Sequence, residues 1–199
     1  MQDLQFNLTN LPPNAKKYYL KINDYYIKHK KSSTKNKSLI ENLNRWNKLI
    51  NKRQLSKLKV VYNNSGSEIN AAVVQGDFII TGDLSYYSTN NIDEAYYLAA
   101  VLNSNIINSQ IKIKRSSRHI FKIPFETNIK KFDPNNINHK KLAKLGKIAE
   151  DNVKAVLKKI PAESLNKFSK FKIQEMIIDE IKDILIEIDD ILKKDLITN

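Results

Sequence analysis

Lys59-Val60-Val61-Tyr62-Asn63-Asn64-Ser65-Gly66, followed by Ala71-Ala72-Val73-Val74-Gln75-Gly76-Asp77-Phe78-Ile79-Ile80, is where the chain changes from a helical to an extended pattern. From Leu58 the apolar period falls to two, which predicts a strand at Lys59-Val60-Val61-Tyr62. The run from Ala71 to Val74, the turn formers Gln75-Gly76, and Phe78-Ile79-Ile80 predict a hairpin, with strands continuing to about residue 88. Between the first two strands, Asn63-Asn64-Ser65-Gly66-Ser67 is rich in turn formers and predicts a loop. Asn91-Ile92-Asp93-Glu94 reads as a capping box for a helix from Glu94 to Leu102. Its apolar positions are Ala95, Leu98, Ala99 and Leu102.

Outward from this centre the pattern is helical on both sides. Pro12 and Pro13 introduce a helix from Ala15 to about Lys30, with Asn14 able to cap it. A polar, basic link from Lys30 to Lys37 follows. Ser38 then precedes Leu39, Leu43, Trp46 and Ile50, the spacing of a second amphipathic helix carrying Arg45. After Asn103-Ser104-Asn105, the isoleucines 106, 107, 111, 113, 120 and 123 read as short strands interrupted by a basic loop at Lys114-Arg115-Ser116-Ser117-Arg118-His119. Beyond Phe132-Asp133-Pro134 two helices are expected, divided at Pro161. In the second, Ile177, Ile181, Ile184, Ile188 and Ile191 alternate steps of four and three, a heptad seam. Its partner is either the preceding helix of this chain or another protein. The expectation is an α+β fold. A domain with a small mixed sheet and flanking helices spans 12 to 134, and a helical pair spans 135 to 199.

The 199 residues hold 34 Lys or Arg against 21 Asp or Glu, and no Cys. Without Cys there is no disulfide framework and no thiolate metal site, and three scattered His build no zinc centre. No apolar run approaches the roughly 20 residues that cross a bilayer, so a cytoplasmic location without membrane contact is expected. Thirty of the cations are Lys, a bias that an AT-rich genome imposes regardless of function. Their distribution is more informative. Residues 1 to 60 hold fourteen basic and three acidic residues, 61 to 111 none and five, and 112 to 131 seven and one. Two basic blocks around an acidic segment predict a polyanion-facing side.

Enzyme signatures are sparse. The glycines at 66, 76, 82 and 146 fit neither GxGxxG nor GxxxxGK, so neither phosphate loop is indicated. Glu180-Ile181-Lys182 has the spacing found in metal-dependent nucleases but lies in the isoleucine-seam helix. Leu11-Pro12-Pro13-Asn14 fits a helix N-terminus better than a methyltransferase tetrapeptide. Nucleic-acid contacts are better supplied. Lys112, Lys114, Arg115 and Arg118 form a cationic loop with Ser116, Ser117 and His119, and Asn63, Asn64 and Ser65 form a second loop of hydrogen-bonding side chains. Lys30, Lys31, Lys35 and Arg45 add phosphate-binding capacity in the N-terminal block.

The strand and loop at 60 to 66, Ala71 to Val74, and Asp93-Glu94-Ala95-Tyr96-Tyr97-Leu98-Ala99-Ala100-Val101-Leu102-Asn103-Ser104 occur in an order that resembles a known family. Arg118-His119-Ile120-Phe121-Lys122-Ile123-Pro124-Phe125 and the exit at Phe132-Asp133-Pro134 extend the likeness. The pattern is similar to the TaqI-like C-terminal specificity domain of N6-adenine DNA methyltransferases and type IIG restriction-modification enzymes, over residues 12 to 160. The resemblance implies a target-recognition module for double-stranded DNA whose loops, here 63 to 67 and 112 to 119, choose the sequence. It implies no catalysis by this chain. The S-adenosylmethionine site would lie on a separate catalytic domain or subunit, to which the isoleucine seam would dock unless it pairs two copies of this chain. Two rival readings are a restriction endonuclease fragment using Glu180 and Lys182, and a basic interaction protein that binds polyanions without sequence preference.

Overall fold

The structure, a computed structural model, describes residues 8–47, 51–114, 119–120, 123–161 and 168–197. They fall into two compact units, Met1–Leu55 and Ser56–Asn199. In the first, α1 (Pro13–His29) starts with Pro12 at the N-cap and Pro13 in its first turn, where a missing N–H costs nothing. The short α2 (Leu39–Leu43) is capped by Ser38, whose hydroxyl accepts from Glu41 N. The Glu41 carboxylate accepts in turn from Lys37 N at 2.6 Å. Asn23 ties the two helices together, accepting from Leu39 N at 2.8 Å. The single amphipathic helix expected from Ser38 onward is instead broken. It ends at Leu43 with Asn44 as its C-cap, Ile50 lies outside the described residues, a 3-10 turn spans Lys52–Leu55, and inside the 3-10 turn at Arg45–Asn47 Trp46 takes φ 60°. That left-handed backbone ends the apolar stripe that periodicity alone would continue.

The second unit is built on a wholly antiparallel three-stranded sheet, β1 (Leu58–Asn63), β2 (Ala71–Gln75) and β3 (Leu84–Ser88), in the order β2-β1-β3. The α+β class stands, and the sheet contains no parallel pair. β1 is central, with Val60 opposite Val73 and Tyr87, and Tyr62 opposite Ala71 and Ser85. Val60 and Tyr62 bury on the face that meets α3 (Ile92–Asn103), while Lys59 and Val61 alternate to the other face. The expected hairpin between Ala71 to Val74 and Phe78 to Ile80 does not form. β1 has only two edges, and these go to β2 and β3. The chain turns at Gly76, φ 128°, whose N–H donates to Lys57 O at 2.8 Å, and Phe78 and Ile79 remain exposed.

α3 opens at Asn91, whose side chain accepts from Asp93 N and Glu94 N. Glu94 does not return to Asn91 N as a capping box would have it. Thr89 takes that part, its hydroxyl accepting from Asn91 N at 3.0 Å and donating to Glu94. The segment after α3, expected as strands, forms the helix α4 (Asn105–Lys114). Ile107 and Ile111, four apart, are buried with Asn108, and Ile113 is left exposed. α5 (Ile137–Lys159) then crosses α3, and α6 (Lys170–Ile197) packs along α5.

The expected boundary between 134 and 135 is not where the units divide. Leu142, Leu145, Ile188 and Ile191 share one core with Val60, Tyr62, Ala95 and Leu102, since α5 packs on α3 and α6 on α5. The division falls at Leu55 instead.

Candidate nucleic-acid interface

The end of β1 supplies the first loop. The Asn63 amide donates to Ser65 O at 2.8 Å and Glu68 O at 2.9 Å, and its oxygen accepts from Asn70 N at 2.7 Å. The loop therefore wraps around one side chain. Gly66, φ 144°, sits so close that a Cβ there would lie 2.9 Å from Asn63 Nδ2. Asn64 is buried and braces the same turn from inside, donating to Gly82 O at 2.7 Å and accepting from the Ser85 hydroxyl. Both asparagine amides are thus engaged within the fold, and Ser65 is the exposed member of the three.

His119 and Ile120, at the far end of the second expected loop, are brought against the first. Ile120 N donates to Asn64 O at 2.8 Å, and Ser65 and His119 form an antiparallel bridge. Residues more than fifty apart in sequence meet there, with His119 exposed beside Ser65. Lys112 and Lys114 are exposed at the C-terminal end of α4. Lys112 pairs with Glu68 at 2.7 Å, a contact with about half of each side chain in solvent and so easily exchanged for a phosphate. Lys114 donates to Glu126 O. Arg115, Ser116, Ser117 and Arg118, expected as the most base-specific part of this loop, lie outside the described residues.

Two side chains not singled out from the sequence hold the loops in place. The Asn103 amide, at the end of α3, imitates a neighbouring strand: Ala71 N donates to it at 2.9 Å and it donates to Ala71 O at 2.8 Å. Buried Asn108 on α4 accepts from Ile69 N at 2.7 Å. An Asn at the end of an apolar run signals a cap or a turn, and only the meeting of α3 with β2 shows what these amides join. Ser104, fully buried, donates to Val101 O at 2.7 Å and accepts from Ile107 N, linking α3 to α4.

The remaining candidates distribute as follows. Lys30, Lys31, Lys35 and Arg45 belong to the N-terminal unit. Lys30 donates to Asn36 O at 3.0 Å, Lys31 and Lys35 are exposed, and the Arg45 guanidinium lies 3.9 Å from the centroid of the exposed Trp46 ring. Along the isoleucine seam, Ile188 and Ile191 are buried in the core, and Ile177, Ile181 and Ile184 are half-buried. The preceding helix of this chain is therefore a partner of the seam. Among the described residues no helix is long and apolar enough to cross a membrane, and no group of three His, Asp or Glu side chains is placed to hold a metal ion. No family model and no curated protein matches the chain.

Proposed function

We propose that this chain is a DNA target-recognition module, reading double-stranded DNA through residues 63 to 67 and 112 to 119 and performing no catalytic step itself. The observation that carries the reading is the bridge between Ser65 and His119. It sets a residue of the polar segment beside His119, the last residue of the basic segment, and these are the two segments that resemble the variable loops of a specificity domain. Phosphate contacts from Lys112 and Lys114 would fix register, and Arg115, Arg118 and Ser65 would face base edges. Lys30, Lys31, Lys35 and Arg45 would contribute sequence-independent affinity from the N-terminal unit. In this reading the protein is cytoplasmic and serves a restriction-modification system. A methyltransferase subunit carrying S-adenosylmethionine supplies the chemistry and docks on the exposed side of α6 around Ile177 and Ile181.

The test is selection of bound duplexes from a random pool at two salt concentrations. Enrichment of a short motif supports the module. Neutralising Arg115 or Arg118 should then cost about 1–3 kcal/mol and relax one position, while neutralising Lys31 or Lys35 should weaken all sequences alike and flatten the salt slope. Salt-sensitive binding with no motif would replace this reading with that of a general polyanion binder.

A further inference from the structure

A second candidate site, whose lining includes neither Ser65 nor His119, lies between α3, β3 and the extended segment before α5. It is a cleft of about 220 Å³, the size of one small ring system rather than of a large cofactor. Its walls are aromatic and include Tyr87, Tyr97 and Phe132, the last two with ring centroids 5.5 Å apart. The polar groups on these walls are already committed as donors. The Tyr97 hydroxyl donates to Lys130 O at 2.9 Å, and the Tyr87 hydroxyl donates to Glu94 Oε1 at 3.3 Å. Glu94, half-buried and lining the cleft, accepts from Tyr87 and Thr89 but forms no ion pair among the described residues. An ionised carboxylate has about four acceptor positions, so acceptor capacity remains on an apolar wall. Lys130 and Lys131, both exposed, complete the lining on the solvent side.

These features ask for a flat aromatic group that offers N–H donors inward and carries an anion outward. We propose that the cleft binds an amino-bearing nucleobase, such as cytosine or adenine, with its exocyclic amine toward Glu94 and its phosphate at Lys130 and Lys131. A base stacks on Tyr or Phe faces whatever its identity, while a carboxylate acceptor selects an amine over a carbonyl. Burial, and next the charge of Glu94, push the Tyr87 hydroxyl above its ordinary pKa of 10.0. Tyr87 therefore stays protonated and leaves its carboxylate partner as the acceptor. The source of the base is either a free nucleotide or an unpaired residue of a strand. The proposal stands apart from duplex recognition, since a mononucleotide presents no groove.

The experiment is titration of the full chain with cytidine 5′-monophosphate, uridine 5′-monophosphate and cytidine, followed by calorimetry and by NMR shifts of the cleft residues. Saturable binding of the cytidine nucleotide, with the uridine nucleotide at least about tenfold weaker, is expected. Because Glu94 sits in the first turn of α3, Glu94→Gln can disturb folding. The exposed pair Lys130→Gln/Lys131→Gln is the safer variant, and it should bring the nucleotide down to the affinity of cytidine while leaving cytidine unchanged. Equal binding of the two nucleotides, no saturation at millimolar concentration, or indifference to the lysine variant would each overturn the proposal. A deoxycytidine oligomer binding more tightly than the mononucleotide would support the site with a strand as source, and weaker binding would support it with free nucleotide. Failure here leaves the duplex selection intact, and a motif-free selection leaves this titration intact.

Discussion

α5 approaches α3 closely at Gly146: a Cβ there would run into the Tyr96 carbonyl oxygen and lie 3.3 Å from Ala100 Cβ. Two effects compete in Gly146→Ala. Helix propensity favours Ala by roughly 0.5–1 kcal/mol, but the obstructing atom is backbone and can yield only if the helices separate. The clash should win, destabilising the chain by about 1–3 kcal/mol in urea unfolding. Lys59 gives a second prediction. Its ammonium, buried on the face of β1 away from α3, donates to Ser56 O and to Phe78 O at 3.0 Å. Burial lowers its pKa below 10.5, with Asp77 opposing the shift. The folded chain therefore releases this proton at lower pH than the unfolded chain does. The buried charge costs stability below the folded pKa, and the cost fades as pH rises toward 10.5. Relative to Lys59→Met, the stability of the natural chain should accordingly rise with pH over that window, as followed by urea unfolding at successive pH values.

Among the elements, α6 shows how one seam divides its work. Ile188 is 1% exposed in the shared core, whereas Ile177 is half-buried toward the other end of the helix. Ile188→Ala should cost about 2–5 kcal/mol and Ile177→Ala markedly less. Comparable costs in unfolding experiments would mean that the whole seam is sealed and that no methyltransferase docks at its exposed end. α3 is held at its start by the two backbone N–H groups that Asn91 accepts, so Asn91→Ala should cost about 1 kcal/mol. Much of α3 was legible in the chain, because Asn91 and the spacing of Ala95, Leu98, Ala99 and Leu102 are local signals. α4 was not. Ile111 and Ile113 mimic strand alternation, and the helical pair Ile107 and Ile111 shows itself only once α3 and α6 give them something to cover.

At the scale of the whole molecule, every core residue among the described residues belongs to Ser56–Asn199. A chain truncated to these residues should unfold in one cooperative transition, with a midpoint within a few degrees of the full-length value. Thermal denaturation of both chains checks this, and loss of cooperativity in the shorter one would make the N-terminal unit part of the folding core. Most of the basic block at 1 to 60 lies in the first unit, up to Leu55, and the block at 112 to 131 in the second, so the truncated chain should also show a reduced salt slope in DNA binding.

What the sequence alone determined is local in origin. The α+β class, the strand at Val60 to Tyr62, the cap at Asn91 and the helices flanking Pro161 follow from propensity, capping and period, whereas α1 begins at Pro13 with Pro12 at its N-cap, ahead of the expected start at Ala15 capped by Asn14. The polar turn from Asn63 to Ser67 was also visible, from its turn formers, whereas Lys112 and Lys114, expected in a loop, lie in α4. The tertiary structure decided what depends on competition for partners. β3, not Phe78 to Ile80, became the third strand, and α5 and α6 joined the sheet in one core, which put the division between units at Leu55. The same competition committed the Asn63 and Asn64 amides to the fold and set Ser65 beside His119, since a side-chain amide takes the hydrogen-bond partners that the folded backbone places within its reach.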